Sequence, residues 1–477
     1  MTDSLARRSS GGLVFGDGSD LATRHREISF LDGSLWTNIL RFAIPVALTS
    51  ILEQLSSLID TVMIGRLMGP EGTVGMAAVG ANTQITSLII VLFVGVSLGT
   101  NVAVASALGA GDRDAASKAA HTSVLMALAG LAVIVVGELL ARPVLVLLQV
   151  PAETLPDAVL FLRVFLLGMP SILLYNFEAA ILRADGDAQL PMQALCLSAV
   201  MNVLLDLLFI GVFGWGVVGS AIATDLCYTT IAVLLFVRLT HLDSPVRIDV
   251  HRLRVDERSL RRIVRIGLPA GVQGAVFSIA NLVIQGAINS LGTEVMAASS
   301  AGMNIEFVCY SLLNSFSQAC TTFVGQNRGA RNLDRCKRAL AVCAAEGAVA
   351  AVLLNLFAVF LGRQVLALIN PDPAVVKYGY MRLCTIFPAY AFSMFYEAIS
   401  GYLRGFGMST PPAVTTTVVI CGIRLFWIAV VFPVSHTFQT IMSVYPISLG
   451  VNCACLIVLL LALHPARTLA ERDVRAA

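Results

Sequence analysis

Along this chain, apolar stretches of membrane-crossing length alternate with short polar connections. A helix needs about 20 apolar residues to span the roughly 30 Å hydrocarbon core of a bilayer. Runs of that kind begin near Ile39, Ala78, Ala120, Ala158, Leu190, Gly216, Gly267, Val295, Arg338, Tyr378, Ala413 and Ile441. The pattern predicts an all-α polytopic membrane protein with twelve transmembrane helices. Residues 1–35 are polar and rich in Gly, Ser and Arg, and read as a disordered N-terminal tail. Residues 36–241 hold the first six helices, 242–262 a basic linker, 263–465 the second six, and 466–477 a C-terminal tail.

Basic residues set the expected orientation, because Lys and Arg are retained on the cytoplasmic side. The longest connection carries Arg238, Arg247, Arg252, Arg254, Arg258, Arg261, Arg262 and Arg265, and the connection after run eight adds Arg328, Arg331, Arg335, Lys337 and Arg338. The opposite connections hold only Arg66, Arg142, Arg363 and Lys377. Even-numbered runs therefore end in the cytoplasm, both termini lie inside, and the expected location is the plasma (inner) membrane.

The two halves also resemble each other. RFAIP ending at Pro45 recurs as RIGLP ending at Pro269, 224 residues on. Gly109-Ala110 recurs as Gly329-Ala330, and LRADG ending at Gly186 with Pro191 recurs as LRGFG ending at Gly407 with Pro412. Ordered matches at nearly constant offset predict two pseudo-symmetric six-helix lobes. An even helix count per repeat makes them parallel, related by an axis along the membrane normal, as in transporters that rock one lobe against the other.

Composition narrows the class. Of 477 residues, 57% are hydrophobic and only 13% charged, against about 25% charged in soluble chains; the mean hydropathy is +0.82. No basic tract interleaves with aromatics, so no nucleic-acid partner is expected. The ten cysteines form no CxxC pair and the six histidines show no metal-ligand spacing. No P-loop is present, so ATP is not the energy source and no cofactor is expected. Gly214-Trp215-Gly216-Val217-Val218-Gly219 fits GxGxxG, but it lies between two membrane runs with no preceding strand, and reads as a tight turn. Nothing resembles an intramembrane enzyme, and a monomer is expected.

Within the apolar runs, ionisable residues are the informative ones, since each costs about 2.5–3.5 kcal/mol on insertion scales and by default marks an ion or proton pathway. Asp60 stands in run one. Asn202 and Asp206 stand four apart on one face of run five, and Thr224 and Asp225 follow in run six. Carboxylates, an amide oxygen and a hydroxyl are hard ligands, suited to a bare cation or a proton relay. Glu53, seven residues before Asp60, would extend the polar track. The second half departs from this pattern: Ile284 stands where Asp60 would recur and Phe277 where Glu53 would. It holds Glu306, Glu397 and Arg424, with Glu397 the expected partner of Arg424 in a lobe-locking pair, or alternatively in a substrate or gating role.

These residues resemble the multidrug and toxic compound extrusion (MATE) family. The resemblance rests on IPVALTS…IDTVMIGRLMG, VASALGAGDRDAASKAA, LRADGDAQLPM, NVLLD and GWGVVGSAIAT in the first half, and on GLPAGVQ…ANLVIQ, VGQNRGARN and YLRGFGMSTPP in the second. It implies export of cationic or amphipathic organic compounds in exchange for Na⁺ or H⁺. It also implies that Asp60, Asn202, Asp206 and Thr224 form the first-lobe coupling site, and would be the ligands of Na⁺. NorM-like members carry further carboxylates in helices seven and ten; here those positions are Phe277 and Ser393. The chain is thus more similar to DinF-like or Gram-positive-type members. Flipping of a lipid-linked oligosaccharide, or of another amphipathic lipid, is the alternative reading.

Overall fold

The computed structural model describes residues 28–69 and 72–476. Twelve long helices follow in the order the apolar runs predict. In the first half they are α1 (Leu35–Leu67), α2 (Gly72–Gly109), α3 (Arg113–Leu147), α4 (Leu155–Leu167 and Met169–Asp185, bent by 46°), α5 (Gln189–Val212) and α6 (Gly216–Thr240). In the second they are α7 (Glu257–Asn289), α8 (Thr293–Gly329), α9 (Leu333–Ile369), α10 (Pro373–Ile386 and Tyr390–Gly405), α11 (Thr410–Ser435) and α12 (Phe438–Leu463). Among the described residues, nine are long and apolar enough to cross a membrane, and the bent α4 makes ten. The other two, α8 and α10, are long but more polar. They carry Glu306, Arg382, Glu397 and Arg404, all buried, so their polarity is spent inside the second lobe and not on lipid.

Each lobe has its own core, and α1 and α7 cross between the two. Ile39, Phe42, Ala43 and Val46 at the start of α1 pack in the core of the second lobe, whereas Ile64 near its end packs in the first. In mirror fashion, Ile263 of α7 belongs to the first core and Ile284, Ala287 and Ile288 to the second. A boundary that places residues 36–241 wholly in one lobe therefore needs correcting: the opening turns of α1 belong to the other.

The lobes meet through backbone. Gly95 and Gly99 of α2 face Gly267 and Gly271 of α7, and a Cβ on any of the four would strike the backbone of the opposing helix. Small residues four apart on both helices permit this approach, which supplies the packing that lipid, as apolar as the side chains, does not drive. Gly109 and Gly329 likewise let α2 and α8 touch. Around them Thr322 donates to Asn101 (2.9 Å), Gln326 to the Ala184 carbonyl (2.7 Å) and Arg262 to Ser106 (2.9 Å). All of these contacts lie between mid-helix and the arginine-rich end, hereafter the basic end. Among the described residues, no hydrogen bond joins the lobes beyond that zone.

The terminal and linker segments are more ordered than their composition suggests. Residues 1–27 of the expected disordered tail lie outside the described residues. Residues 28–34 are packed: Phe30 is buried against Phe42 and Phe323, its carbonyl accepts from Asn327 and Arg335, and the Ile28 N–H donates to Gly186. The segment thus bridges both lobes at the basic end. The basic linker is shorter than expected, because α7 already begins at Glu257, capped by Asp256. It is also docked: the Asp249 and Asp256 N–H groups donate to His121 and Thr122 of α3. The C-terminal segment is a helix, α13 (Pro465–Ala476), which packs Ala466 into the second core.

Candidate coupling site

Three helices assemble the site in the first lobe. Asn202 and Asp206 lie one turn apart on α5, buried to 4% and 0% exposure. Directly after Asp206 the helix widens into a π turn, Leu207–Val212, a feature that often accompanies functional positions. From α6, the Thr224 hydroxyl donates to Asp60 Oδ2 of α1 (3.3 Å). The Asp60 carboxyl also lies within side-chain interaction range of Asp206 and Asn202. The four residues singled out from sequence therefore meet at one place.

Hydrogen bonding at this place is incomplete. Asp60 Oδ1, Asn202 Oδ1 and both Asp206 oxygens are buried with no protein donor. A buried polar atom left unpaired costs about 1–3 kcal/mol, and more when charged. Two facing carboxyls cannot both stay ionised in low dielectric without compensation. A proton shared between them, or a small hard cation, would satisfy this all-oxygen set. The chemistry is not that of a transition-metal centre: among the described residues no group of three or more His, Cys, Asp or Glu is disposed to hold a metal.

The secondary candidates separate. Glu53 lies within electrostatic range of Arg183, Tyr175 and Tyr228, and Tyr228 is also in range of Asp60. Glu53 thus continues a polar track from Asp60 toward the basic end of α4. Asp225 points elsewhere, to the α4 bend, where its carboxyl fills the space a Cβ on Gly168 would need. One residue along a helix is a rotation of about 100°, which takes Asp225 off the face that Thr224 presents.

In the second lobe the expected Glu397–Arg424 pair is not made. Glu397 accepts from the Tyr310 hydroxyl (2.9 Å). Arg424 donates to Asn281 (2.8 Å) and stacks on Phe277 and Tyr445, 4.7 and 4.6 Å from the ring centroids. Among the described residues, the buried ion pair of this lobe is instead Arg382 with Glu306. It is bidentate at 2.6 and 2.8 Å, with a third bond from Arg382 to Ser299 at 2.7 Å. Sequence reasoning missed Arg382, although it stands mid-run in YGYMRLCTIF and meets the criterion that flagged Asp60. It also missed Glu178, fully buried in LLYNFEAAIL with both carboxyl oxygens unpaired. Phe277 and Ser393 supply no carboxylate, so the second lobe has no acid at either position.

Comparison with known proteins identifies the family and the fold. A sequence model of the MatE family matches the chain twice, over residues 45–208 and 269–430, once in each half. The probable multidrug resistance protein YoeA of Bacillus subtilis is 26% identical over 412 residues, covering 84% of this chain and 88% of that protein. The FAD transporter of Shewanella oneidensis is 26% identical over 363 residues, covering 73% and 78%. Among solved structures, MATE in the straight conformation superposes with a TM-score of 0.84 at 23% identity, over 93% of this chain and 99% of that one. The two matches of the family model start at Pro45 and Pro269, the same pair of prolines that marks the internal repeat. On these grounds the chain belongs to the MatE family, as a multi-pass membrane transporter and not an enzyme.

Proposed function

We propose that the protein is a secondary antiporter that exports cationic or amphipathic organic compounds in exchange for H⁺ or Na⁺. The observation that carries this reading is the cluster of Asp60, Asp206, Asn202 and Thr224, with four buried oxygens lacking donors. In this reading the basic end faces the cytoplasm and the lobes are closed there, so the coupling ion enters from the opposite side. Binding of a proton or Na⁺ neutralises the carboxyls, removes their attraction for a cationic cargo and changes the packing of α1 against α5 and α6. Release of cargo outside and of the ion inside would follow as the lobes rock about the glycine contacts of α2 and α7. The name of the Bacillus relative supports a drug-like cargo. Neither relative is named as a flippase, and no observation favours that alternative.

The test is efflux of a fluorescent organic cation from vesicles under an imposed proton or Na⁺ gradient. Asp60→Asn combined with Asp206→Asn is expected to reduce gradient-driven efflux by about a hundredfold or more, as removal of groups that act as a unit does. Undiminished coupled efflux by the double variant would sink the reading. Collapsing each gradient separately identifies the ion.

A further inference from the structure

Arg424 is buried to 2% exposure within a membrane span, yet no carboxylate lies within ion-pair distance of it among the described residues. Each acid nearby is otherwise engaged. Glu306 is held by the Nε and Nη2 groups of Arg382, and Glu397 takes the Tyr310 hydroxyl, with Tyr396 in electrostatic range of both Glu397 and Arg424. The rings of Phe277 and Tyr445 stabilise the cation but accept no in-plane hydrogen bond, and the Arg424 Nε–H has no acceptor. A lone desolvated guanidinium is costly.

Arg424 touches α7 and α12 of its own lobe, and its hydrogen-bond acceptor on α7 lies on the face turned to the other lobe. Asn281, the residue that accepts from Arg424 among the described residues, lies seven residues, about two turns, beyond Gly274. It therefore shares the face on which Gly267, Gly271 and Gly274 meet α2. Asn281 lies past the last of those contacts and is exposed. Gln285, one turn on, extends the same polar face. Arg424 is also bracketed by two π turns in α11, Thr417–Cys421 and Trp427–Val431. The second of these lies 220 residues after the π turn that follows Asp206, so the repeat puts a base in the second lobe close to where it puts an acid in the first.

We propose that Arg424, presented through Asn281, recognises a carboxylate on the exported compound, so that the preferred cargo is an organic molecule carrying an acidic group. This rests on the efflux reading above. The experiment uses the full chain in proteoliposomes and a matched probe pair: a fluorescent aromatic amine bearing a carboxylic acid, and its methyl ester. Wild type should favour the acid by about tenfold, the size of one charge-assisted hydrogen bond. Arg424→Gln should abolish that preference while leaving ester export within about twofold of wild type, and Arg424→Lys should restore part of it. Acid and ester falling together, or an unchanged preference, overturns the proposal. Should Arg424→Gln fail to fold, Asn281→Ala, at an exposed position, serves instead. Equilibrium binding of the two probes to wild type decides independently, and an ester bound as tightly as the acid overturns the assignment. Ester export that ignores Asp60→Asn with Asp206→Asn counts against the efflux reading alone.

Discussion

The two lobes share a backbone plan and use buried charge in opposite ways. In the first, Asp60 and Asp206 share a site with Asn202 and Thr224, and most of their oxygens lack donors. In the second, Glu306 and Arg382 saturate each other through a bidentate pair with Ser299 as a third partner. A saturated ion pair holds helices in register. An unsaturated acid pair leaves capacity for something that arrives and departs. The contrast shows one backbone repeat holding buried acids in two ways, as a closed ion pair and as a pair with open oxygens.

The comparison can be broken most sharply by exchanging the expected phenotypes. Arg382→Met strands Glu306 in the second lobe and should lower unfolding stability by about 3–5 kcal/mol, read as a loss of thermal stability in detergent. Arg382→Met with Glu306→Leu should recover much of that loss, since removing both partners of a buried pair is often nearly neutral. Asp206→Asn in the first lobe should leave stability unchanged or raised while coupled transport is lost. Equal destabilisation by Arg382→Met and Asp206→Asn would erase the distinction between the closed ion pair and the open acid pair.

A second substitution sharpens what the lobes share. Gly99→Val places side-chain atoms against the Ile263 carbonyl and the Gly267 backbone. It should reduce transport by about tenfold or more, because the helices must shift where backbone meets backbone. Both lobes should stay folded, with normal detergent stability of each half to limited proteolysis. Transport at the wild-type rate would show that the glycine contact is not part of the working cycle.

The smallest effect concerns the join between the halves. The Ser259 backbone N–H and hydroxyl hold the Asp256 carboxyl below the usual carboxylate range. Asp256→Ala removes the α7 cap and should cost about 1 kcal/mol. Because the folded-state value is lowered, the contribution of this group is present above about pH 4 and fades as pH falls through the lowered value. Thermal stability of wild type and Asp256→Ala should therefore converge in acid; a constant difference would argue against the cap.

Much of this was legible in the sequence because it depends on local quantities. Helix spans follow from apolar length, so every predicted run became a helix; α2 and α3 start at Gly72 and Arg113, ahead of the runs near Ala78 and Ala120, and α7 departs furthest. That helix starts earlier because an arginine-rich stretch can be helical without being apolar. The repeat follows from Pro45 and Pro269 and from the Gly186 and Gly407 turns. The mid-run acids stood out because desolvation makes any ionisable residue there conspicuous, and the same rule applied fully would have found Arg382 and Glu178.

The sequence by itself thus determined the class of molecule, its two halves and which residues were too costly to be incidental. Tertiary structure decided their partners. Glu306 and Arg382 are 76 residues apart and meet only because α8 and α10 turn those faces together. Glu397 and Arg424 looked paired in one dimension and are separated in three, and Asp225 turns away from the site its neighbour Thr224 completes. Likewise, α1 and α7 cross between cores, and glycines let the backbones of α2 and α7 touch, which no periodicity records. Periodicity and burial cost belong to single helices. Pairing depends on the rotation and tilt of rods against each other, and that is settled only when all twelve are packed.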